Sequence, residues 1–137
     1  MIIRPATKQD LPAISEIQAS APDASQWQPG DYLAYECRVA ERDKLVLGFL
    51  VVRVVAEREW EILNLAVAPG VRRQGIGRQL LSDSLERHAG ECFLEVRESN
   101  ETARRFYERL GFKTVTERLQ YYSNPPETAI VMKLYSW

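Results

Sequence analysis

The sequence predicts a mixed α/β domain whose sheet is partly antiparallel, not a run of βαβ units. Two apolar segments, residues 45–55 and 60–67, are separated only by the charged turn "AERE", the spacing of an antiparallel pair. Two later segments have helical periodicity, and the short apolar run "CFLEV" lies between them. Two further strand-like runs close the chain. The order is β, α, α, then three strands, α, β, α, β, β, which fits one layered α/β domain.

Each element has a local reason. Ile2 and Ile3 open a short strand. Thr7 followed by Asp10 forms a capping box with Asp in place of Glu, and Leu11, Ile14 and Ile17 make a helical stripe to about Ala19. Residues 20–31, "SAPDASQWQPGD", read as a loop broken by Pro22, Pro29 and Gly30, and residues 32–36 as a second short helix. Pro69-Gly70 ends the strand at 60–67. A helix follows over about 75–88, with Ile76, Leu80, Leu81 and Leu85 as its buried face. Residues 92–96 form a short buried strand. Ser99 or Asn100 caps a helix in which Ala103, Phe106, Tyr107 and Leu110 share one stripe, and Gly111 stops it. Residues 112–122 and 128–135 are the closing strands around the loop "SNPPE".

Bulk properties narrow the function. At 137 residues the chain suits a single domain, 1–137, with one core. A net charge of -1 argues against a nucleic-acid coat, though not against a local basic patch. No apolar run reaches the ~20 residues of a membrane span. "MIIRPATKQD" lacks the apolar core of a signal peptide, so the expected setting is the cytoplasm, with no membrane partner. Cys37 and Cys92 are expected to be reduced core residues, and with His88 the lone histidine no metal site is expected. His88 itself is expected to be a solvated residue at a helix end.

The stretch "VAPGVRRQGIGRQLL" carries the chemistry. A glycine pair at the start of a helix suits an anion. The P-loop pattern GxxxxGK[ST] is absent. A dinucleotide fingerprint is half present: Gly75-Ile76-Gly77 supplies GxG, and Glu95 lies where a ribose-binding acid would. Against it, Leu80 occupies the third glycine position, the preceding strand ends near Val67, and the chain has too few crossover units. Arg72-Arg73-Gln74-Gly75-Ile76-Gly77 instead fits [QR]-x-x-G-x-[GA]. There, glycines let successive backbone N–H groups close on a pyrophosphate, the helix N-terminus adds partial positive charge, and Arg72, Arg73 and Arg78 raise the local potential.

The segment "LNLAVAPGVRRQGIGRQLL" resembles the acetyl-CoA-binding motif of the GNAT (GCN5-related) N-acetyltransferases, and "LEVRESNETARRFYERLGF" resembles the second half of that family's core. The resemblance covers about residues 60–135. It implies a mostly antiparallel six- to seven-stranded sheet flanked by about four helices, with splayed central strands. It implies acetyl-CoA as cosubstrate, its pantetheine arm along Leu65, Ala66 and Val67, with the Val67 N–H facing the thioester oxygen. Arg73 to Arg78, with Ile76 and Gly77 among them, would wrap the pyrophosphate, and Asn100 would contact the cofactor while capping its helix. "LEVRxSNxxAxxxYxxxGF" with a later Tyr-Tyr pair is similar to the branch of bacterial ribosomal-protein alanine N-acetyltransferases. In that branch the base and acid match Glu95 and Tyr107, and Tyr121, Tyr122 and the loop aromatic Trp27 match the peptide-binding wall.

The expected reaction is transfer of acetyl to an amine, which must lose a proton first. An α-amine, with a pKa of about 7.7–8.0, needs less help than a lysine, at about 10.4. Glu95 is the only acid within "CFLEV"; desolvated there it would titrate above the ordinary range, and its plain alternative is a strand residue paired with Arg97 or another basic side chain. Tyr107 is a phenol able to protonate a leaving thiolate, or a core residue. Cys92 is read as packing, so transfer is expected to be direct, without an acetyl-enzyme. The expected partners are acetyl-CoA and a peptide or protein N-terminus, with a ribosomal protein as one acceptor; the protein is expected to be a monomer or weak dimer. Two alternatives stay open: a lysine side chain, polyamine or small amine as acceptor, or a non-catalytic acetyl-CoA-binding module.

Overall fold

A computed structural model describes residues 1–21, 28–123 and 125–136, with the backbone alone at 136. Its strands are β1 (Ile2–Pro5), β2 (Glu36–Arg42), β3 (Leu45–Ala56), β4 (Glu59–Val67), β5 (Gly90–Arg97), β6 (Lys113–Ser123) and β7 (Pro126–Ser136). Its α-helices are α1 (Leu11–Ala19), α2 (Ile76–Arg87) and α3 (Glu101–Arg109). Short 3₁₀ turns cover Lys8–Asp10, Pro29–Ala34 and Pro69–Val71. The seven strands order as β1-β2-β3-β4-β5-β7-β6. The β1–β2, β2–β3, β5–β7 and β6–β7 pairs are antiparallel. The mixed, mostly antiparallel sheet is therefore the one expected.

The chain divides into two compact units, Met1–Arg53 with Ile62–His88, and Val54–Glu61 with Ala89–Trp137. In the first, Ile14 and Ile17 of α1 pack with Tyr32, Val39, Phe49 and Ala66 in one apolar cluster. The Asp10 half of the expected capping box forms: the Thr7 N–H donates to Asp10 Oδ2 at 2.7 Å. Arg4 completes the arrangement with two hydrogen bonds to the same carboxylate, at 2.8 and 2.9 Å.

Three expectations about this unit need correction. The second helix is a 3₁₀ turn over Pro29–Ala34, three residues earlier than expected, because Pro29 begins it instead of breaking the chain. Glu36 is not helical but opens β2, which pairs with both β1 and β3. His88 is not solvated: its side chain is 20% exposed, and its Nε2 is hydrogen-bonded to Glu36 Oε2. Leu85 also sits half-buried, and Ser84 takes a buried place on α2 beside Ile76, Leu80 and Leu81.

In the second unit, β5 alternates strictly. Gly90, Cys92, Leu94 and Val96 are buried, whereas Glu91, Phe93, Glu95 and Arg97 are half-buried on the other face. Tyr107 of α3 is buried, with Phe106 and Phe112 edge-on at 5.2 and 5.3 Å. Gly111 ends the helix at φ 103°, as the sequence suggests. β6 is an edge strand, exposed along nearly its whole length and broken by irregularities between Thr114 and Thr116 and between Arg118 and Tyr122.

Candidate active site

The first unit holds the residues assigned to the cofactor. Val67 ends β4, and the Ala68 N–H donates to the Leu47 carbonyl at 2.8 Å, which ties the end of the strand to β3. Gly48 lies against it so closely that a Cβ would meet the Ala66 carbonyl oxygen at 3.0 Å. The turn Pro69–Val71 then leads into the basic loop. Arg73 adopts φ 66° and Gly75 φ 79°, two left-handed residues flanking Gln74. Gly75 is the N-cap of α2, no side chain caps that end, and no acid occupies its first turn. Four backbone N–H groups at a helix start lack intrahelical partners. Here they meet neither a capping side chain nor a repelling carboxylate, so the end suits an anion.

The arginines are not equivalent. Arg72 Nε donates to the Val67 carbonyl at 3.2 Å and its Nη2 to the Ser20 carbonyl at 3.4 Å. It therefore braces the end of β4, although it is exposed, as Arg73 and Arg78 are. Gln74 accepts from Arg42 at 3.2 Å. Leu65 and Val67 are half-buried and Ala66 is 7% exposed.

One further residue of this unit escaped the sequence reading. Asn64 is buried on β4. Its Nδ2 donates to Tyr32 Oη at 2.9 Å and to Gln18 Oε1 at 3.3 Å, and its Oδ1 accepts from the Leu65 N–H at 3.0 Å. Tyr32 in turn donates to Gln18. The Leu65 N–H, expected to serve the pantetheine arm, is thus occupied by its neighbour's side chain. The available signal was a lone polar residue inside the apolar run "ILNLAV".

The second unit holds the acid and base candidates. Glu95 is not a carboxylate enclosed by apolar groups. Arg118 Nη1 donates to its Oε1 at 2.6 Å, with the glutamate side chain 16% exposed and the arginine 52% exposed. Tyr121 also hydrogen-bonds Glu95, and that carboxylate's charge, followed by burial, pushes the Tyr121 phenol up. The pairing alternative read from the sequence is the one found, with Arg118 as partner in place of Arg97. Arg97 is held elsewhere: it donates to Glu127 at 3.3 Å and to the Pro125 carbonyl at 3.2 Å, and lies 4.2 Å from the Tyr122 ring centroid. The two tyrosines meet edge-on at 5.2 Å. Glu95, Arg97, Arg118, Tyr121 and Tyr122 thus form one polar and aromatic wall.

Tyr107 belongs to the other face of β5. Burial, and then the neighbouring Cys92 thiol, push its phenol well above the ordinary value, so it stays protonated at neutral pH. Cys92, on that same face, is buried and its thiol is likewise pushed up by burial. Asn100 caps α3, its Oδ1 accepting from the Ala103 N–H at 3.2 Å. Trp27 lies outside the described residues.

Residues 6–112 match the model of the acetyltransferase (GNAT) family. The ribosomal protein bS18-alanine N-acetyltransferase of Escherichia coli strain K12 is 37% identical over 139 residues, an alignment covering 91% of this chain and 90% of that protein. The crystal structure of the ribosomal-protein-S18-alanine N-acetyltransferase from Escherichia coli superposes with a TM-score of 0.81 at 31% identity, covering 98% of this chain and 93% of the other. That of Ard1 from Thermoplasma volcanium gives a TM-score of 0.88 at 26% identity, covering 99% and 97%. The chain belongs to the acetyltransferase (GNAT) family and is an acetyl-CoA-dependent N-acetyltransferase. Within that family it is similar, over nearly its whole length, to the alanine N-acetyltransferases of a ribosomal protein.

Proposed function

We propose that this enzyme transfers acetyl from acetyl-CoA to the α-amine of a protein N-terminus, with a ribosomal protein in the cytoplasm as the leading acceptor. The observation that carries the acceptor reading is the 37% identity to an alanine N-acetyltransferase, sustained over 91% of the chain. Acetyl-CoA supplies an acetyl group activated as a thioester. The uncapped start of α2, with Gly75, Gly77, Arg73 and Arg78, holds its pyrophosphate, and β4 from Leu65 to Val67 holds the pantetheine arm. The Val67 N–H faces the oxygen on which negative charge develops. Arg72 and Gln74 shape that loop, and Asn100 adds a contact beyond its capping role.

The acid and base are divided between the faces of β5. Glu95 takes a proton from the acceptor's ammonium on one face. Tyr107, on the other face, gives its proton to the departing thiolate. The amine adds to the thioester carbon and the thiolate leaves the tetrahedral intermediate, so a separate base and acid suit direct transfer. Tyr121, Tyr122 and Trp27 line the acceptor. Cys92 takes no part: a buried thiol whose pKa is raised is a poor nucleophile.

Thiol release over a peptide panel varied at its first residues tests this. Peptides with a free α-amine should turn over and polyamines should not. Glu95→Gln and Tyr107→Phe should each lower kcat by about 100-fold or more while acetyl-CoA affinity holds. An unchanged kcat in either variant removes that residue from its role, and turnover of polyamines alone removes the N-terminal acceptor.

A further inference from the structure

We infer that Arg118 is a displaceable clamp on Glu95, holding the place that the acceptor's ammonium takes and so weakening the enzyme's hold on a cationic acceptor. The inference rests on the reading of Glu95 as the base.

The register explains how the two side chains meet. Glu95 faces Val131 across β5–β7, and Thr116 faces Val131 across β6–β7. One row further, Arg97 and Arg118 both face Ala129. Side chains two residues apart share a face, so Arg118 lies on the face of Glu95, one row away, with β7 between them. Ala129, buried and small, leaves room above the sheet for the guanidinium to cross β7 and reach the carboxylate.

Two observations make this contact an exchangeable one. Arg118 stands on an edge strand with its side chain 52% exposed, and half-exposed ion pairs are weak because water screens them. The fixed pairs of this protein are built differently: Asp10 is 8% exposed at its side chain and takes two hydrogen bonds from Arg4. The backbone beside Arg118 is irregular, with Gln120 at φ 52° and the register broken between Arg118 and Tyr122. The guanidinium also stacks 4.1 Å from the centroid of the Tyr121 ring, a contact that helps hold it and that its departure would free along with the base. Arg97, the neighbouring cation, cannot take its place, because Glu127 and the Pro125 carbonyl already hold it.

An arriving ammonium and the Arg118 guanidinium compete for one carboxylate. Only a charged acceptor gains from that exchange; an acetylated N-terminus does not. The test compares a hexapeptide beginning with alanine and the same peptide acetylated at its N-terminus, titrated calorimetrically onto the enzyme with CoA present and, for the free peptide, assayed for turnover. In Arg118→Met the free peptide should bind about two- to fivefold tighter, with its KM lowered to match and kcat within about twofold. Binding of the acetylated peptide and KM for acetyl-CoA should not move, and the gain should vanish in the Glu95→Gln background. Weaker binding of the free peptide, a fall in kcat, or a gain that persists without the Glu95 charge overturns the clamp. If Glu95→Gln alone leaves kcat intact, the base assignment has failed instead. If neither form of the enzyme binds the free peptide, the acceptor reading fails and takes the clamp with it.

Discussion

Gly75 shapes the turn that starts α2. Its φ of 79° is one that an L side chain resists, yet a Cβ there would meet nothing within 4 Å. The cost of Gly75→Ala is therefore conformational and not a clash, about 1 kcal/mol of folding stability. The same methyl would stand at the start of α2, the place proposed above for the pyrophosphate. Gly75→Ala should lower the urea midpoint slightly and weaken CoA binding several-fold, read by denaturation and calorimetry on the same preparation. An unchanged CoA affinity would show that the anion does not seat at this turn. Gly48 is a different case: its φ is unremarkable, but the Ala66 carbonyl oxygen lies 3.0 Å from where its Cβ would be, so its role is close approach.

At the scale of elements, the Asn64 cluster joins α1, the Pro29–Ala34 turn and β4 through hydrogen bonds in an apolar interior. Asn64→Leu keeps the volume but withdraws a donor from both Tyr32 and Gln18. Stability should fall by about 1–3 kcal/mol, measured by urea denaturation, and the losses from Asn64→Leu and Tyr32→Phe should not add, because both side chains donate to Gln18. Strictly additive losses would mean that the cluster does not act as a unit. These elements also show what local sequence can and cannot tell. α2, α3 and β5 were legible because their apolar periodicity is strong and their stops, Gly111 among them, are local signals. The bounds of β2 were not: "ECRVAER" has modest strand propensity, and its pairing with β1 on one side and β3 on the other makes it a strand. The glycine-bearing start of α2 was legible from its spacing. The partner of Glu95 was not, because Arg118 lies 23 residues away and reaches it only across β7.

For the whole molecule, acid is the condition under which these ion pairs should become visible. Arg4, the nearest cation, is the largest influence on Asp10 and outweighs the opposing effect of burial; with the Thr7 N–H, it holds the carboxyl below its ordinary value. Burial works to raise Glu36, but hydrogen bonds from His88 and Arg87 prevail and lower it. A carboxyl whose folded value is depressed contributes stability that is fully present above its unfolded value, about 4. As pH falls through the interval between the unfolded and folded values, the unfolded chain binds more protons and that contribution is lost. Melting temperature should therefore hold near neutrality and decline below roughly pH 4. Asp10→Asn removes the charge and should melt lower than wild type at neutral pH. The gap between the two should then narrow as pH falls below about 4, because the unfolded wild-type chain binds a proton at Asp10 before the folded chain does. Thermal unfolding of both proteins across roughly pH 3 to 7 reads this directly. Two curves that stay parallel through that range would mean that the Arg4–Asp10 pair contributes nothing to the acid sensitivity of the fold.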